Sequence, residues 1–181
     1  MTEHSFSLIP FSDSKIPEIR LTGRISRNLN ILNVYYSLMG RTAEILFPEP
    51  SRLPARRVEL WRTTCFEFFL AFPEQPQYWE VNLSPSGDWN VYHMDAYRRL
   101  GFREDLSIQQ LPFTIQKEPE CFSVSVNLDL RPIISTEQQI QASITSVIQT
   151  KDGHETYWAL THPGLQADFH LRESFTLVLE E

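Results

Sequence analysis

The sequence predicts an all-β fold, an antiparallel jelly-roll-like β-sandwich with one or two short helices, in a single domain over residues 1–181. Two observations indicate this fold. Apolar and polar residues alternate along several segments, which is typical of strands that bury one face. The 12 prolines are spread along the chain and mark connections between those segments.

The alternation predicts a series of strands from the N-terminal part of the chain to its end. Two segments have a helical pattern instead, at 54–61 and 94–100, where Asp95 could cap the second helix. The predicted strands are IRLTGRIS (19–26), LNILNVYYSL (29–38), TCFEFFLAF (64–72), YWEVNLS (78–84), CFSVSVNLDL (121–130), IQASITSVIQ (140–149) and FTLVLE (175–180).

The third and fourth of these strands are expected to form a hairpin. A register with Phe72 opposite Trp79 and Leu70 opposite Val81 gives one entirely apolar face. A slip of one residue would mix Glu80 into that face. The second face then carries polar side chains around Phe69, namely Glu67, Glu80, Asn82 and Ser84.

Composition excludes several classes of function. The net charge of −7 and the absence of a Lys/Arg stripe argue against nucleic acid as a partner. No apolar stretch approaches the roughly 20 residues that span a bilayer, so no membrane association is expected. The first residues do not resemble a secretory signal, and Cys65 and Cys121 form no CxxC pair. A cytoplasmic protein with two reduced thiols is therefore the expectation.

Three blocks of sequence resemble bacterial DOMON-like proteins: LWRTTCFEFFL (60–70), YWEVNLSPSGDWNVYHMDAYR (78–98) and YWALTHPGLQADFH (157–170). Their superfamily includes the family 9 carbohydrate-binding modules and the DOMON haem domains. The resemblance implies a jelly-roll-like sandwich whose relatives bind sugars or haem on or beside one sheet. The chain departs from the family pattern HPPGKPDFHH near its end, where HPGLQADFHL has Leu171 in place of the second histidine.

The polar face and its surroundings supply the candidate site residues for a non-catalytic module that binds a carbohydrate or a sugar-derived metabolite. Glu67, Glu80 and Asn82 would bind sugar hydroxyls. Trp89 follows the SPSG turn (84–87), where it is expected to be exposed and to stack on a sugar ring. Arg98 would either order the carboxylates or contact a charge on the ligand. Two carboxylates could also serve glycoside hydrolysis, but their separation does not follow from the sequence, and no catalytic residue is assigned.

Two other readings stay open. A sandwich face with scattered aromatic residues also fits a protein-interaction or oligomerisation domain, and a homo-oligomer is compatible with the sequence. A haem domain would use Met39 or Met94 with His162 as axial ligands, although no motif selects these residues. His162, Asp168 and His170 share one loop without a zinc-site spacing, so neither metal nor cofactor is expected.

Overall fold

The computed structural model describes residues 2–11, 15–97, 102–134 and 138–180, which form two packed antiparallel sheets. One sheet has five strands in the order β1-β3-β4-β10-β9. The other has eight, in the order β2-β12-β11-β5-β6-β7-β8 with β13 paired to β11. The predicted all-β sandwich is confirmed. The strands are β1 (Thr2–Ser7), β2 (Ile9–Pro10), β3 (Ile19–Asn28), β4 (Ile31–Gly40), β5 (Cys65–Ala71), β6 (Tyr78–Leu83), β7 (Trp89–Met94), β8 (Arg103–Glu104), β9 (Phe113–Glu118), β10 (Cys121–Asp129), β11 (Ile140–Gln149), β12 (Glu155–Ala159) and β13 (Leu177–Leu179).

The main core lies between the sheets and takes every second residue from each central strand. Phe66 is near its middle, since its ring centroid lies 5.2 Å from that of Tyr36 and 5.8 Å from that of Phe122 on the opposite sheet. Full burial of a side chain of this size contributes about 1.5–3 kcal/mol to folding. The inward residues of β5, β6 and β7 include Phe66, Phe68, Leu70, Trp79, Val81, Leu83, Trp89 and Val91.

The hairpin of β5 and β6 has the predicted faces but a different register. Leu70 lies opposite Trp79, where the sequence predicted Phe72 in that position, so the pairing is shifted by two residues. Because side chains alternate with a period of two, this shift leaves every side chain on its face. The polar face is therefore preserved, and it sets Glu67 directly opposite Asn82.

The turn between β6 and β7 agrees with its sequence signature. The Gly87 N–H donates a hydrogen bond of 2.9 Å to the Ser84 carbonyl, and Gly87 has a φ of 92°. Glycine adopts this backbone conformation without the steric cost of a Cβ atom. The tight turn lets β7 begin immediately at Trp89, which pairs with Leu83 of β6.

The helix predicted over 54–61 is wrong. Arg56 forms an isolated β-bridge with Trp89, and Glu59 has a φ of 59°, in the left-handed region that interrupts a right-handed helix. The described residues contain no α-helix, and their helical turns are the short 3-10 helices Thr42–Glu44, Leu60–Arg62 and Arg172–Ser174.

The helix predicted over 94–100 is also not found in the part of that segment that the structure describes. Met94 still belongs to β7, where it pairs with Tyr78. Asp95 binds Arg103 at 2.9 Å instead of capping a helix. Residues 98–100 lie outside the described residues.

Both cysteines that the sequence contains have free thiols. Cys65 is buried in β5 and Cys121 is half-buried in β10. Across the ranges that the structure describes, no helix has the length and apolar character needed to cross a bilayer.

Candidate functional site

A pocket of about 710 Å³ lies on the face of the eight-stranded sheet that points away from the main core. Its volume falls within the roughly 300–1,000 Å³ that is usual for small-molecule sites. The pocket combines aromatic rings with carboxyl, imidazole and guanidinium groups. Its lining residues are Trp61, Arg62, Glu67, Phe69, Tyr78, Glu80, Tyr92, Met94, Phe102, Val147, Glu155, Tyr157, Ala167, Phe169 and His170.

The floor of the pocket consists of side chains that alternate with core residues along the central strands. Glu67 and Phe69 come from β5, Tyr78 and Glu80 from β6, and Tyr92 from β7. Several of these residues belong to a second, smaller apolar cluster on this face. The floor is therefore fixed by the backbone hydrogen bonds of the sheet and by its own packing.

One wall of the pocket comes from the segments before β5 and before β8. The Trp61 ring, in the 3-10 helix Leu60–Arg62, lies with its centroid 5.7 Å from that of Tyr92 and 6.0 Å from that of Phe102, both in edge-to-face geometry. Trp61 is half-buried, so part of its ring remains accessible. This wall therefore adds the aromatic rings of Trp61 and Phe102 to the lining of the pocket.

Arg56 attaches the segment before Trp61 to the sheet. Its guanidinium donates hydrogen bonds to the Asn90 Oδ1 at 2.5 Å and to the Asp105 carbonyl at 3.0 Å, and it also reaches the Ile108 carbonyl. The same group lies 4.5 Å from the centroid of the Trp89 ring. The planar Arg56 guanidinium thus connects β7 to its own segment before β5 and to the segment after β8.

The opposite wall is formed by the segment that follows β12. The Tyr78 hydroxyl lies 2.9 Å from the His170 Nδ1, and the His170 Nε2 lies 4.0 Å from the Glu80 Oε2. The Asp168 carboxylate accepts the His170 backbone N–H at 3.0 Å and the Tyr97 hydroxyl at 2.7 Å. His170 is therefore held over the carboxylates of the floor.

The metal-site possibility at His162, Asp168 and His170 finds no geometric support. The His162 Nε2 lies 2.9 Å from the Ile9 carbonyl, while Asp168 accepts hydrogen bonds from the His170 backbone N–H and from the Tyr97 hydroxyl. Among the described residues, no group of three His, Cys, Asp or Glu side chains is arranged to hold a metal ion.

Glu67 is the most deeply placed carboxyl group of the pocket, with 2% of the residue exposed. Burial raises its pKa well above the ordinary value, and the nearby charge of Glu80 raises this pKa further. The Thr145 hydroxyl donates a long hydrogen bond of 3.4 Å to Oε2. The Cys65 thiol also interacts with this carboxyl and, like Thr145, lowers its pKa. No donor that the structure describes lies in hydrogen-bonding geometry with the other oxygen, Oε1.

Asn82 lies directly opposite Glu67 and is completely buried. Its Nδ2 donates a hydrogen bond of 2.9 Å to the Glu80 Oε1, which fixes the other end of the amide as the oxygen. Within the described ranges, that Oδ1 atom has no donor. Two buried acceptors on paired residues thus lack hydrogen bonds.

The charge of the floor also affects its neighbours. Burial, followed by the charge of Glu80, raises the pKa of Tyr92 to about 12. Burial, followed by the charges of Glu67 and Glu80, raises the pKa of the Cys65 thiol well above its ordinary value. Both shifts keep the protonated form of the group at neutral pH.

The structure brings together only part of the predicted site. Glu67 and Glu80 line the pocket, and Asn82 lies beside them on the same face. The prediction that Trp89 is exposed beside them is wrong, because Trp89 is 6% exposed and packs in the core between the sheets. Trp89 pairs with the core residue Leu83, so its side chain lies on the core face of β7. Arg98 lies outside the described residues.

The pocket contains residues that sequence reasoning did not assign to a site. Trp61 takes the place beside the carboxylates that was predicted for Trp89. Tyr157 directly precedes the core residue Trp158 on β12, so the alternation of the strand places it on the pocket face. The sequence alone contains this signal. Phe169 and His170 reach the site through a loop that ends far from β5 in the sequence, so no local pattern marks them.

Solved structures with the same overall architecture exist, although no protein-family model and no curated protein matches the sequence. A candidate carbohydrate-binding protein from Bacteroides uniformis has a TM-score of 0.73 at 11% identity, covering 98% of this chain and 85% of that one. A family 9 carbohydrate-binding module from Caldicellulosiruptor kristjanssonii in complex with cellotriose has a TM-score of 0.54 at 12% identity, covering 85% and 71%. This chain therefore has the fold of a β-sandwich that resembles carbohydrate-binding modules.

Proposed function

We propose that this protein is a non-catalytic carbohydrate-binding module and that its site is the pocket on the outer face of the eight-stranded sheet. The observation that carries the proposal is the combination of aromatic walls with a floor of buried hydrogen-bonding groups. Such a pocket, mostly apolar with a few converging polar groups, is the usual form of a small-molecule site.

The lining offers partners for both the C–H faces and the hydroxyl groups of a sugar ring. Flat C–H faces of a pyranose pack on aromatic rings, for which Trp61 and Tyr157 are placed on different sides of the pocket. Sugar hydroxyls donate hydrogen bonds to carboxyl oxygens, and the carboxyl groups of Glu67 and Glu80 lie on the floor. A rigid sheet beneath them reduces the entropy lost on binding.

The comparisons support this proposal through the fold. The module from Caldicellulosiruptor kristjanssonii is a binding module and was solved with cellotriose. The sequence resemblance to bacterial DOMON-like proteins leads to the same superfamily as the family 9 modules. A binding role without catalysis agrees with both.

The proposal is tested by isothermal titration calorimetry with a panel of monosaccharides and trisaccharides that includes cellotriose. We expect saturable binding to the wild type and a loss of at least about tenfold in affinity for Trp61→Ala, since stacking residues dominate such sites. Tyr35→Ala is the matched control, because Tyr35 is a half-buried aromatic residue on the other sheet. The absence of saturable binding across the panel, or an unchanged affinity for Trp61→Ala, would contradict the proposal.

A further inference from the structure

Three buried polar atoms on the pocket face have no hydrogen-bond partner among the described residues, and one of them is the Ser143 hydroxyl, opposite Phe69. The other two belong to groups that face each other across β5 and β6. They are the Glu67 Oε1 and the Asn82 Oδ1. The two residues are direct partners in the antiparallel pairing of β5 and β6, which sets their Cβ atoms about 4.5–5.5 Å apart. Buried polar atoms are nearly always hydrogen-bonded in folded proteins, so these two oxygens are the points of the floor at which a donor group of a ligand would find an acceptor.

Hydroxyl, ammonium and water differ in the number of hydrogen bonds that each can donate to these acceptors. A hydroxyl group donates one hydrogen bond, so it satisfies one of the two acceptors. An ammonium group donates three and accepts none, which suits two neighbouring acceptors and the nearby Glu80 carboxylate. A water molecule donates two hydrogen bonds but does not balance the charge of a carboxylate.

The charges of the lining favour a cation. Three of the described lining residues are carboxylic acids, namely Glu67, Glu80 and Glu155. The Arg62 guanidinium belongs to the rim, since its side chain is 69% exposed and it binds Glu59 at 2.9 Å. Aromatic ring faces attract cations as well, which adds the walls of the pocket to this preference.

We propose that the pocket selects a saccharide with a protonated primary amine, an amino sugar, and that the ammonium group binds at Glu67 beside Asn82. This inference rests on the proposed function, because it names the class of carbohydrate that the same pocket takes. The rings of Trp61 and Tyr157 then contact the sugar, while the carboxyl floor recognises its amine.

Binding of an ammonium group is coupled to the ionisation of Glu67. Burial raises the pKa of this carboxyl, whereas an ammonium group beside it favours the carboxylate form, so binding lowers this pKa and releases a proton in the pH range where the free protein still holds one. A neutral sugar gives no such exchange at Glu67. The Cys65 thiol lies beside Glu67, and the other titratable or charged groups that line the pocket are Arg62, Tyr78, Glu80, Tyr92, Glu155, Tyr157 and His170.

The test compares three trisaccharides with the same β-1,4 backbone, which differ at carbon 2 of each ring. They are cellotriose, the trimer of glucosamine and the trimer of N-acetylglucosamine. In mildly acidic buffer, where the amine is protonated, we expect the glucosamine trimer to bind about tenfold or more tightly than the others. Titrations in two buffers of different ionisation enthalpy should show proton release for this trimer alone.

Glu67→Gln keeps the shape of the side chain but removes its charge. It should lower the affinity for the glucosamine trimer at least about tenfold more than the affinity for cellotriose. Glu118→Gln, at an exposed position on β9, is the control and should change neither. The wild-type comparison of the trimers needs no variant, so it decides the matter even if Glu67→Gln folds poorly.

The outcomes separate this inference from the proposed function. Binding of cellotriose that equals or exceeds that of the glucosamine trimer would overturn the amine preference and leave the carbohydrate site intact. Failure of all three trimers and of the sugar panel would overturn both.

Discussion

Glu67 and Asn82 lie directly opposite each other on β5 and β6, and each has a buried oxygen that no donor in the described residues reaches. Such atoms cost about 1–3 kcal/mol each when they remain unsatisfied. Natural sites often keep groups that reduce stability because these groups serve binding. The pair is therefore a local cost to stability on the pocket face, and the amine binding proposed above would offset it.

The raised pKa of Glu67 predicts a specific dependence of stability on pH. The folded protein keeps this carboxyl protonated at pH values where the unfolded chain has lost the proton. The contribution is fully present below the unfolded pKa of about 4.3 and is lost as the pH rises through the folded pKa, by up to about 1.4 kcal/mol per pH unit. Glu67→Gln should therefore become progressively more stable than the wild type as the pH rises.

Urea denaturation of both proteins over a series of pH values measures this effect. Glu118→Gln serves as the control, because its exposed position predicts a difference from wild type that stays within about 0.5 kcal/mol. A constant difference between wild type and Glu67→Gln at all pH values would contradict the assignment of a raised pKa.

Trp89 and Trp61 should respond differently to truncation. Trp89→Ala removes a ring from the main core and should cost about 3–5 kcal/mol of unfolding free energy. Trp61→Ala removes a half-buried ring from the pocket wall and should cost about 1 kcal/mol. Denaturation curves give both values, and equal losses would show that the two positions are not distinguished by burial as described.

Arg56 should not tolerate replacement by lysine. Its guanidinium donates to Asn90 and to the Asp105 carbonyl while it stacks on Trp89, which an ammonium group cannot do simultaneously. We expect Arg56→Lys to lower the unfolding free energy by about 1–3 kcal/mol. Arg57→Lys, at the exposed neighbouring position, should stay within about 0.5 kcal/mol, and a similar loss in both would assign the effect to the loop in general.

The two thiols should differ in reactivity. Cys121 is half-buried and should react with a thiol reagent in the native protein. Cys65 is buried and has a raised pKa, so its reactive thiolate form is suppressed until the protein unfolds. Titration with Ellman's reagent should give one fast thiol before denaturation and both after it, and Cys121→Ser should give none before. A fast reaction of Cys121→Ser would contradict the burial of Cys65.

Sequence reasoning predicts the faces of the strands well because the period of two is a local property. It placed Phe68 and Val81 in the core and Glu67 and Glu80 on the other face, as the structure does. Its hairpin register, with Phe72 opposite Trp79, was wrong by two residues, since any shift by an even number of residues satisfies the same pattern.

The position of Trp89 was mispredicted because the turn before it was taken as a sign of exposure. The tight turn is followed directly by β7, which begins at Trp89. Because Trp89 lies two residues before the core residue Val91, both side chains lie on the core face of the strand. The walls around Trp61 and His170 depend on contacts between distant segments, and the alternation within a strand carries no information about these contacts.

Core and pocket share the same strands, and this arrangement constrains how the protein can change. In YWEVNL (78–83), three side chains fill the interior and the three that alternate with them lie on the pocket face. Substitutions at alternate positions can thus alter the pocket face while the hydrophobic interior stays intact. A single inserted residue, in contrast, would exchange interior and ligand-facing side chains along the rest of the strand. Diversification of this site by point substitution is therefore accessible, whereas length changes within β5, β6 or β7 are not.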